Sequence, residues 1–236
     1  MHSKALTLLA AALAALAPAA FTLAQEPAPQ IPQLPGPPGR SKPPPQVQPP
    51  QAQQPTRPDK PYYEQVRENL PKTPAERAKV LSNLYAHLAT APNAPLANEI
   101  AQTIEGLWFL SYSDTVSVLM ERAVKALSEK NNTLALQLLD AVVDLAPDFA
   151  EGWHRRAVVY YVNNDYTRAM GDLRRALALE PNNFKALDGL AQILREMGRD
   201  KQALEVYRQV LSIHPHWPGA SAAVKELQRK VEGQGI

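Results

Sequence analysis

The residues of this chain that could do chemistry are few, and two histidines are the first candidates. His214 and His216 flank Pro215 and could offer two imidazoles to a metal ion, but zinc sites use three or four ligands. The 236 residues include no cysteine, which excludes disulfides, thiolate catalysis and Cys-ligated metal. The sequence also lacks a glycine-rich phosphate loop, a Gly-x-Ser-x-Gly elbow and a His-Glu-x-x-His motif. We therefore expect no enzymatic activity, no cofactor and no metal.

The charges of the chain argue against a nucleic-acid partner. The sequence has 25 Lys and Arg against 23 Asp and Glu, a formal net charge of +2, and the small excess of positive charge lies before Tyr62. A nucleic-acid-binding protein ordinarily carries a clustered positive footprint. Here acidic and basic residues alternate, which is typical of a solvated surface of mixed charge.

Side chains that bind a partner must be positioned by regular elements, and the stretch from Glu151 to Pro181 indicates which ones. Bulky and small residues there recur at helical spacing on two successive segments: Trp153, Arg156, Ala157, Tyr160, Ala169 and Leu173. The alanines leave room for two antiparallel helices to touch, and the bulky side chains fill the remaining space. Pro147, Pro181 and Pro215 close equivalent units thirty-four residues apart.

This spacing resembles the tetratricopeptide repeat (TPR), a helix pair of about 34 residues. The resemblance covers about 116–215 and implies an all-α, right-handed superhelical stack with repeats at 116–149, 150–183 and 184–217. We expect Trp153 and Ala157 to share the seam between the two helices of the second repeat. The predicted repeat helices are 115–129, 132–145, 149–163, 166–179, 183–197 and 200–213.

Further helices are expected on both sides of the repeats. Residues 62–115 predict a divergent helical pair, whose first helix covers about 74–90 and whose second begins at Pro95, stacked ahead of the first repeat. Residues 218–236 predict a C-terminal capping helix and tail, with Trp217 as a plug over the third repeat. Terminal caps of this kind solvate the ends of repeat arrays.

The resemblance also implies where a partner would bind. In TPR proteins the first helices of successive repeats line a concave groove that holds extended peptides or partner surfaces. The matching positions here are Met120, Val124, Leu127, His154, Arg155, Val158, Tyr161, Lys185, Asp188, Gln192 and Arg195. An alternative is that the first three are covered by the N-terminal helices and belong to the core. Arg155 and Lys185 are expected to be exposed charges that hold an acidic partner segment.

One familiar TPR activity is not expected. The carboxylate-clamp TPRs, which hold the C-termini of heat-shock chaperones, use lysine, asparagine and arginine at five groove positions. The matching residues here are Met120, Val124, Arg155, Lys185 and Gly189. Since only Lys185 fits, that activity does not carry over.

The N-terminal segment indicates export. Residues 1–24 have the layout of a secretory signal peptide, with Lys4, an apolar run over Ala5–Ala17 and small residues up to Ala24. We expect cleavage after Ala24 and a periplasmic location, although an uncleaved membrane anchor is the alternative. Residues 25–61 are rich in proline and glutamine and predict a disordered tether.

Four runs of sequence also resemble an alphaproteobacterial group of exported TPR proteins linked to cell-envelope maintenance: Leu84–Leu88, Ile104–Phe109, Leu138–Pro147 and Ala186–Ala191. That resemblance implies a non-enzymatic periplasmic scaffold whose partner is an envelope protein or peptide. The alternative is an auxiliary subunit of an inner-membrane-anchored assembly or secretion complex, held by an uncleaved N-terminal helix. We expect no nucleic-acid or small-molecule partner, and membrane contact only if the N-terminus is uncleaved.

Overall fold

The computed structural model describes residues 60–233, and within that range the regular structure is entirely α-helical. Ten helices follow one another: α1 Tyr62–Glu68, α2 Pro74–Ala89, α3 Ala94–Trp108, α4 Asp114–Ser128, α5 Asn132–Leu145, α6 Ala150–Val162, α7 Tyr166–Leu179, α8 Phe184–Glu196, α9 Asp200–Ile213 and α10 Ala220–Glu232. None of these helices is both long and apolar enough to cross a membrane. The predicted signal peptide (1–24) and tether (25–61) lie outside the described residues, apart from Lys60 and Pro61.

The predicted repeat helices agree with the observed ones to within two residues at each end, and side-chain caps mark where several of the helices begin. The Thr73 hydroxyl accepts a hydrogen bond from the backbone N–H of Glu76 at 3.2 Å, with Pro74 in the first turn. Asn131, Asp165 and Asn183 cap α5, α7 and α8 in the same way. Such caps satisfy backbone donors that the helix itself leaves free. The short helix α1 was not predicted.

Helices α4–α5, α6–α7 and α8–α9 form three antiparallel pairs, and α10 packs on α9. Alanines at the predicted seam positions are at most 1% exposed: Ala123, Ala135, Ala157, Ala169 and Ala203. The turn inside each pair contains a residue in the left-handed region, namely Lys130, Asn164 or Gly198. These three positions are again thirty-four residues apart, so the turn geometry repeats together with the packing.

Trp153 and Ala157 pack into the same core between α6 and α7, as predicted. Ala157 is fully buried there, whereas Trp153 is only half-buried. Its indole packs between the guanidinium groups of Arg156 and Arg175, at 4.9 and 6.0 Å, and donates a hydrogen bond to the Pro147 carbonyl at 3.1 Å. Since a side chain that remains partly wet leaves a smaller cavity when truncated, Trp153 contributes less to the core than the sequence pattern suggested.

Arg156 occupies a slot where the family usually has leucine, and the structure explains how a charge is accommodated there. Its guanidinium holds Asp172 through two hydrogen bonds of 2.7 and 2.9 Å and reaches Asp140 at 2.9 Å. The pKa of Arg156 is raised, mainly because of the hydrogen bonds to Asp172. A bidentate pair of this kind links α6 to α7 along the outside of the seam.

The N-terminal helices do not stack ahead of the first repeat, contrary to the prediction. They pack instead against the third repeat, where Leu84, Leu88 and Trp108 share a core with Phe184. The Arg77 guanidinium and the Tyr85 hydroxyl lie 3.4 Å from the carboxylate of Glu180, just before α8. Burial raises the pKa of that carboxyl against the opposing pull of Arg77.

The contact between the N-terminal helices and the third repeat centres on an aromatic cluster, which we define as Trp108, Phe184, His214 and Trp217. The fully buried Phe184 ring lies 4.9 Å from Trp108, 5.3 Å from His214 and 5.1 Å from Trp217, measured between ring centroids. Trp217, predicted as a plug over the third repeat, packs against the cores of both the N-terminal helices and that repeat. Edge-to-face aromatic contacts add specificity to this apolar burial.

The two histidines considered as metal ligands serve separate purposes. His214 is fully buried in the aromatic cluster, and neither ring nitrogen has a hydrogen-bond partner among the described residues. His216 lies 2.9 Å, through Nε2, from the carbonyl oxygen of Ala91 at the end of α2. Within residues 60–233 no group of three or more His, Asp or Glu residues could hold a metal ion.

The buried imidazole of His214 predicts acid sensitivity. Burial, assisted by the nearby His216, lowers the pKa of His214 to about 4, whereas an unfolded histidine takes up its proton near pH 6.5. As the pH falls below about 6.5, the unfolded state binds a proton that the folded state excludes, so stability is lost progressively towards pH 4. We expect a loss of about 2–3 kcal/mol across this window.

Denaturant melts of the parent, His214→Leu and His87→Gln between pH 7 and 5 check this expectation. His214→Leu should flatten the loss of stability, because the titrating group is gone. His87→Gln replaces an exposed imidazole and should keep the parental slope. Equal slopes for the parent and His214→Leu would contradict the assignment.

Candidate protein-binding groove

A groove between α6 and α8 collects most of the side chains that were predicted to bind a partner. It holds a pocket of about 350 Å³. Seven predicted residues line it: His154, Arg155, Val158, Tyr161, Lys185, Asp188 and Gln192. Ala157, Leu173 and Ile193 form the apolar floor, and Trp217 of the aromatic cluster closes one side. The first helices of the second and third repeats therefore do face one cavity.

A second pocket of about 530 Å³ shares Tyr161, Asp188 and Gln192 with the first and extends from α8 to α10. Arg195, an eighth predicted residue, lines this second pocket. Its lining is mainly polar and includes Asp200, Glu226 and Lys230. The first pocket, which has the apolar floor, thus adjoins the polar second pocket, and Asp188 lines both.

The first repeat does not contribute to these pockets. Met120 is 2% exposed in a core with Ala123, Leu139 and Phe149, and Leu127 packs against the same core. Val124 is half-buried and lines neither pocket. The alternative that Met120 belongs to the core is correct: α4, α5 and α6 form most of that core, and Phe109, just after α3, packs against it. His154 also lies largely in the interior, with 5% of its surface exposed.

Glu151, which the sequence interpretation overlooked, holds two side chains of the groove wall, His154 and Arg155, in place. Its carboxylate is 1% exposed and accepts a hydrogen bond from Arg155 Nε at 2.6 Å, with His154 Nδ1 at 3.2 Å. Burial disfavours the charged carboxylate, but His154 and Arg155 outweigh that effect and lower the pKa of Glu151. The spacing of Glu151 and Arg155 is that of an i, i+4 helical pair, which could have suggested the contact but not the burial.

The expectation that Arg155 and Lys185 are exposed, free charges is wrong. Arg155 is committed to Glu151 and also lies over the Phe109 ring, 4.7 Å from its centroid. Lys185 Nζ pairs with Glu105 of α3 at 2.6 Å. Because α3 packs on this side of the third repeat, it supplies the partner that the sequence could not show. Each cation already pairs with an internal carboxylate, so its charge is partly balanced before any ligand binds.

The remaining cations of the groove are paired in the same manner. Arg195 contacts Glu226 at 3.2 Å and Lys230 contacts Asp200 at 2.7 Å. Asp188 differs, because the groups that donate to it are neutral, namely the side-chain amide of Gln192 at 2.6 Å and the indole of Trp217. The arrangement combines an apolar floor with fixed polar groups on the walls, which suits binding of a ligand.

The two ion pairs of the groove wall should differ in their effect on stability. Arg155→Met leaves the buried Glu151 with one partner fewer and should cost about 2–3 kcal/mol. Lys185→Met removes one side of a pair whose members are both about one-third exposed and should cost less than about 1 kcal/mol.

Urea denaturation of both variants measures the difference in unfolding free energy. Adding Glu151→Gln to Arg155→Met should recover part of the loss, because a neutral amide costs less to leave buried than a carboxylate. Equal losses for the two single variants would contradict the assigned burial of Glu151.

Comparison with known proteins identifies the family to which this repeat architecture belongs. Two tetratricopeptide repeat family models match residues 120–183 and 163–230. A TPR repeat-containing protein of Rhizobium etli is 36% identical over 167 residues, which cover 71% of this chain and 80% of the relative.

Solved structures that are similar to this chain include the first TPR of Spaghetti (RPAP3) bound to an HSP90 peptide, at 20% identity, with 51% of this chain and 95% of that one covered and a TM-score of 0.49. MamA matches at 18% identity, with 73% and 84% covered and a TM-score of 0.47. The extent of the match to the Rhizobium relative, together with the two repeat models, shows that this chain belongs to the tetratricopeptide-repeat proteins.

Proposed function

We propose that this protein is an exported, non-enzymatic scaffold that binds a cell-envelope protein in the groove between α6 and α8. The observation that carries the proposal is the groove itself: an apolar floor reached from solvent, with polar walls fixed by internal ion pairs. Pre-organised clefts of this kind hold an extended segment without the entropic cost of ordering their own walls. Membership of the TPR family supports a protein or peptide as the ligand.

The proposed periplasmic location is supported by the layout of residues 1–24. Intact-mass measurement of the protein recovered from its native envelope tests it. Loss of residues 1–24 with release into the periplasmic fraction is the expected result. Retention of these residues in the membrane fraction would favour the alternative, an auxiliary subunit of a membrane-anchored complex.

Gly189 offers a way to test the groove without damaging the fold. It lies inside α8 and lines the first pocket, and a Cβ placed there would meet only the Leu173 methyl groups at 3.8 Å, an ordinary contact. A glycine in a helix interior costs about 0.5–1 kcal/mol relative to alanine. A larger side chain at this position would therefore extend into the pocket while leaving the helix at least as stable.

Gly189→Leu should abolish capture of the partner while leaving the melting temperature equal to or above that of the parent. The matched control is Gly171→Leu, another glycine in a helix interior, where an added Cβ meets nothing within 4 Å. The measurement is quantitative crosslinking and pull-down from the native envelope with the parent and both variants. Proteins retained by the parent and by Gly171→Leu but lost with Gly189→Leu identify the partner. Equal recovery with Gly189→Leu would place binding outside this groove.

A further inference from the structure

The groove carries more negative than positive charges, whereas the sequence predicted cations that attract an acidic partner. The two pockets are lined by four cations, Arg155, Lys185, Arg195 and Lys230, and by four carboxylates, Asp188, Glu196, Asp200 and Glu226. Glu151 and Glu105 pair with two of these cations and bring the carboxylates to six. The groove therefore carries a net excess of two negative charges, and an approaching acidic segment meets repulsion rather than attraction.

Asp188 and Glu196 are the two carboxylates of this set for which the described residues supply no paired cation, and only Asp188 is half-buried, since Glu196 is exposed. Each of the four cations has its own carboxylate within 3.2 Å, namely Glu151, Glu105, Glu226 or Asp200. Asp188 instead holds the side-chain amide of Gln192, one turn further along α8. Partial burial raises the pKa of the Asp188 carboxyl, because desolvation outweighs the hydrogen bonds that favour its charged form. A half-buried carboxylate without a counter-charge is costly in the free protein and gains most from a ligand cation.

The surroundings of Asp188 define what must accompany that cation. On the side of the first pocket, Val158 remains 37% exposed and Tyr161 is half-buried, next to the Trp217 ring. Aromatic and aliphatic surface of this kind supplies the contact area of a binding anchor. A ligand that places an apolar side chain here has its neighbouring residue beside Asp188, at the entrance to the second pocket.

We propose that the groove binds an extended peptide segment in which a lysine or arginine pairs with Asp188 and an adjacent apolar side chain packs on Val158 and Tyr161. This proposal rests on the proposed function and names the chemistry of its partner. An acidic segment, the occupant suggested by the cations in the sequence, would meet cations whose charge Glu151 and Glu105 already balance. A basic segment gains instead from Asp188, which has no paired cation among the described residues.

The test uses a library of displayed random octapeptides selected against the full chain. Enriched peptides should carry a lysine or arginine next to an apolar residue. Asp188→Asn should weaken their binding at least about tenfold, which is the effect of losing one charge-assisted contact. Asp144→Asn, an exposed aspartate of α5, is the matched control and should leave affinity unchanged. Circular dichroism melts check that both variants remain folded.

A double-mutant cycle tests whether the contact is made between the peptide cation and the side chain of Asp188. Replacing the peptide cation with glutamine should weaken binding to the parent by the same factor as Asp188→Asn. The same peptide change should have no further effect on Asp188→Asn. If Asp188→Asn does not fold, the test uses the parent protein and the peptide change only. A loss of affinity of less than about twofold on replacing the peptide cation with glutamine would then overturn the proposal.

The remaining outcomes separate this inference from the proposed function. Selection of acidic peptides whose binding is lost in Gly189→Leu would overturn the role of Asp188 and leave the groove as the binding site. Selection of peptides whose binding persists in Gly189→Leu, or of none at all, would overturn both. Weakening of binding with rising salt is expected for the basic peptides, because exposed charge contacts are screened.

Discussion

The burial of Phe184 is the constraint on which the arrangement of the chain depends. Its ring contacts Trp108 from the N-terminal helices, and His214 and Trp217 from the turn before α10. One side chain at the start of α8 therefore joins three separated parts of the sequence. A closely packed interior of this kind tolerates little change in shape, so the N-terminal helices are held against the third repeat and not against the first.

That placement determines the electrostatics of the groove. With α3 lying beside α6 and α8, Glu105 reaches Lys185 and Phe109 covers the guanidinium of Arg155. Two cations that would attract anions in isolated repeats are thereby neutralised inside the molecule. Asp188, one turn beyond Lys185 on α8, accepts a hydrogen bond from the Gln192 amide and has no paired cation among the described residues. The ligand preference of the groove thus follows from packing outside the groove.

The groove residues show how well repeat spacing predicts which side chains line the groove. Eight of the eleven predicted positions line one of the two pockets, because the first helices of adjacent repeats present equivalent faces. Met120 fails because it lies in a core formed mostly by α4, α5 and α6, and Glu151 was missed because a glutamate at a helix start is usually exposed. In neither case could the local pattern show what lies against the side chain.

The sequence by itself determined the six repeat helices and their pairing, and it indicated the family. Caps such as Asn131, seam alanines such as Ala157 and the recurring Pro147 act through contacts within a single repeat, so their spacing alone reveals them. Only the tertiary structure decided where the N-terminal helices lie and which charges of the groove are free. Those outcomes depend on pairs such as Glu105 with Lys185, whose partners are eighty residues apart and carry no local signal of their contact.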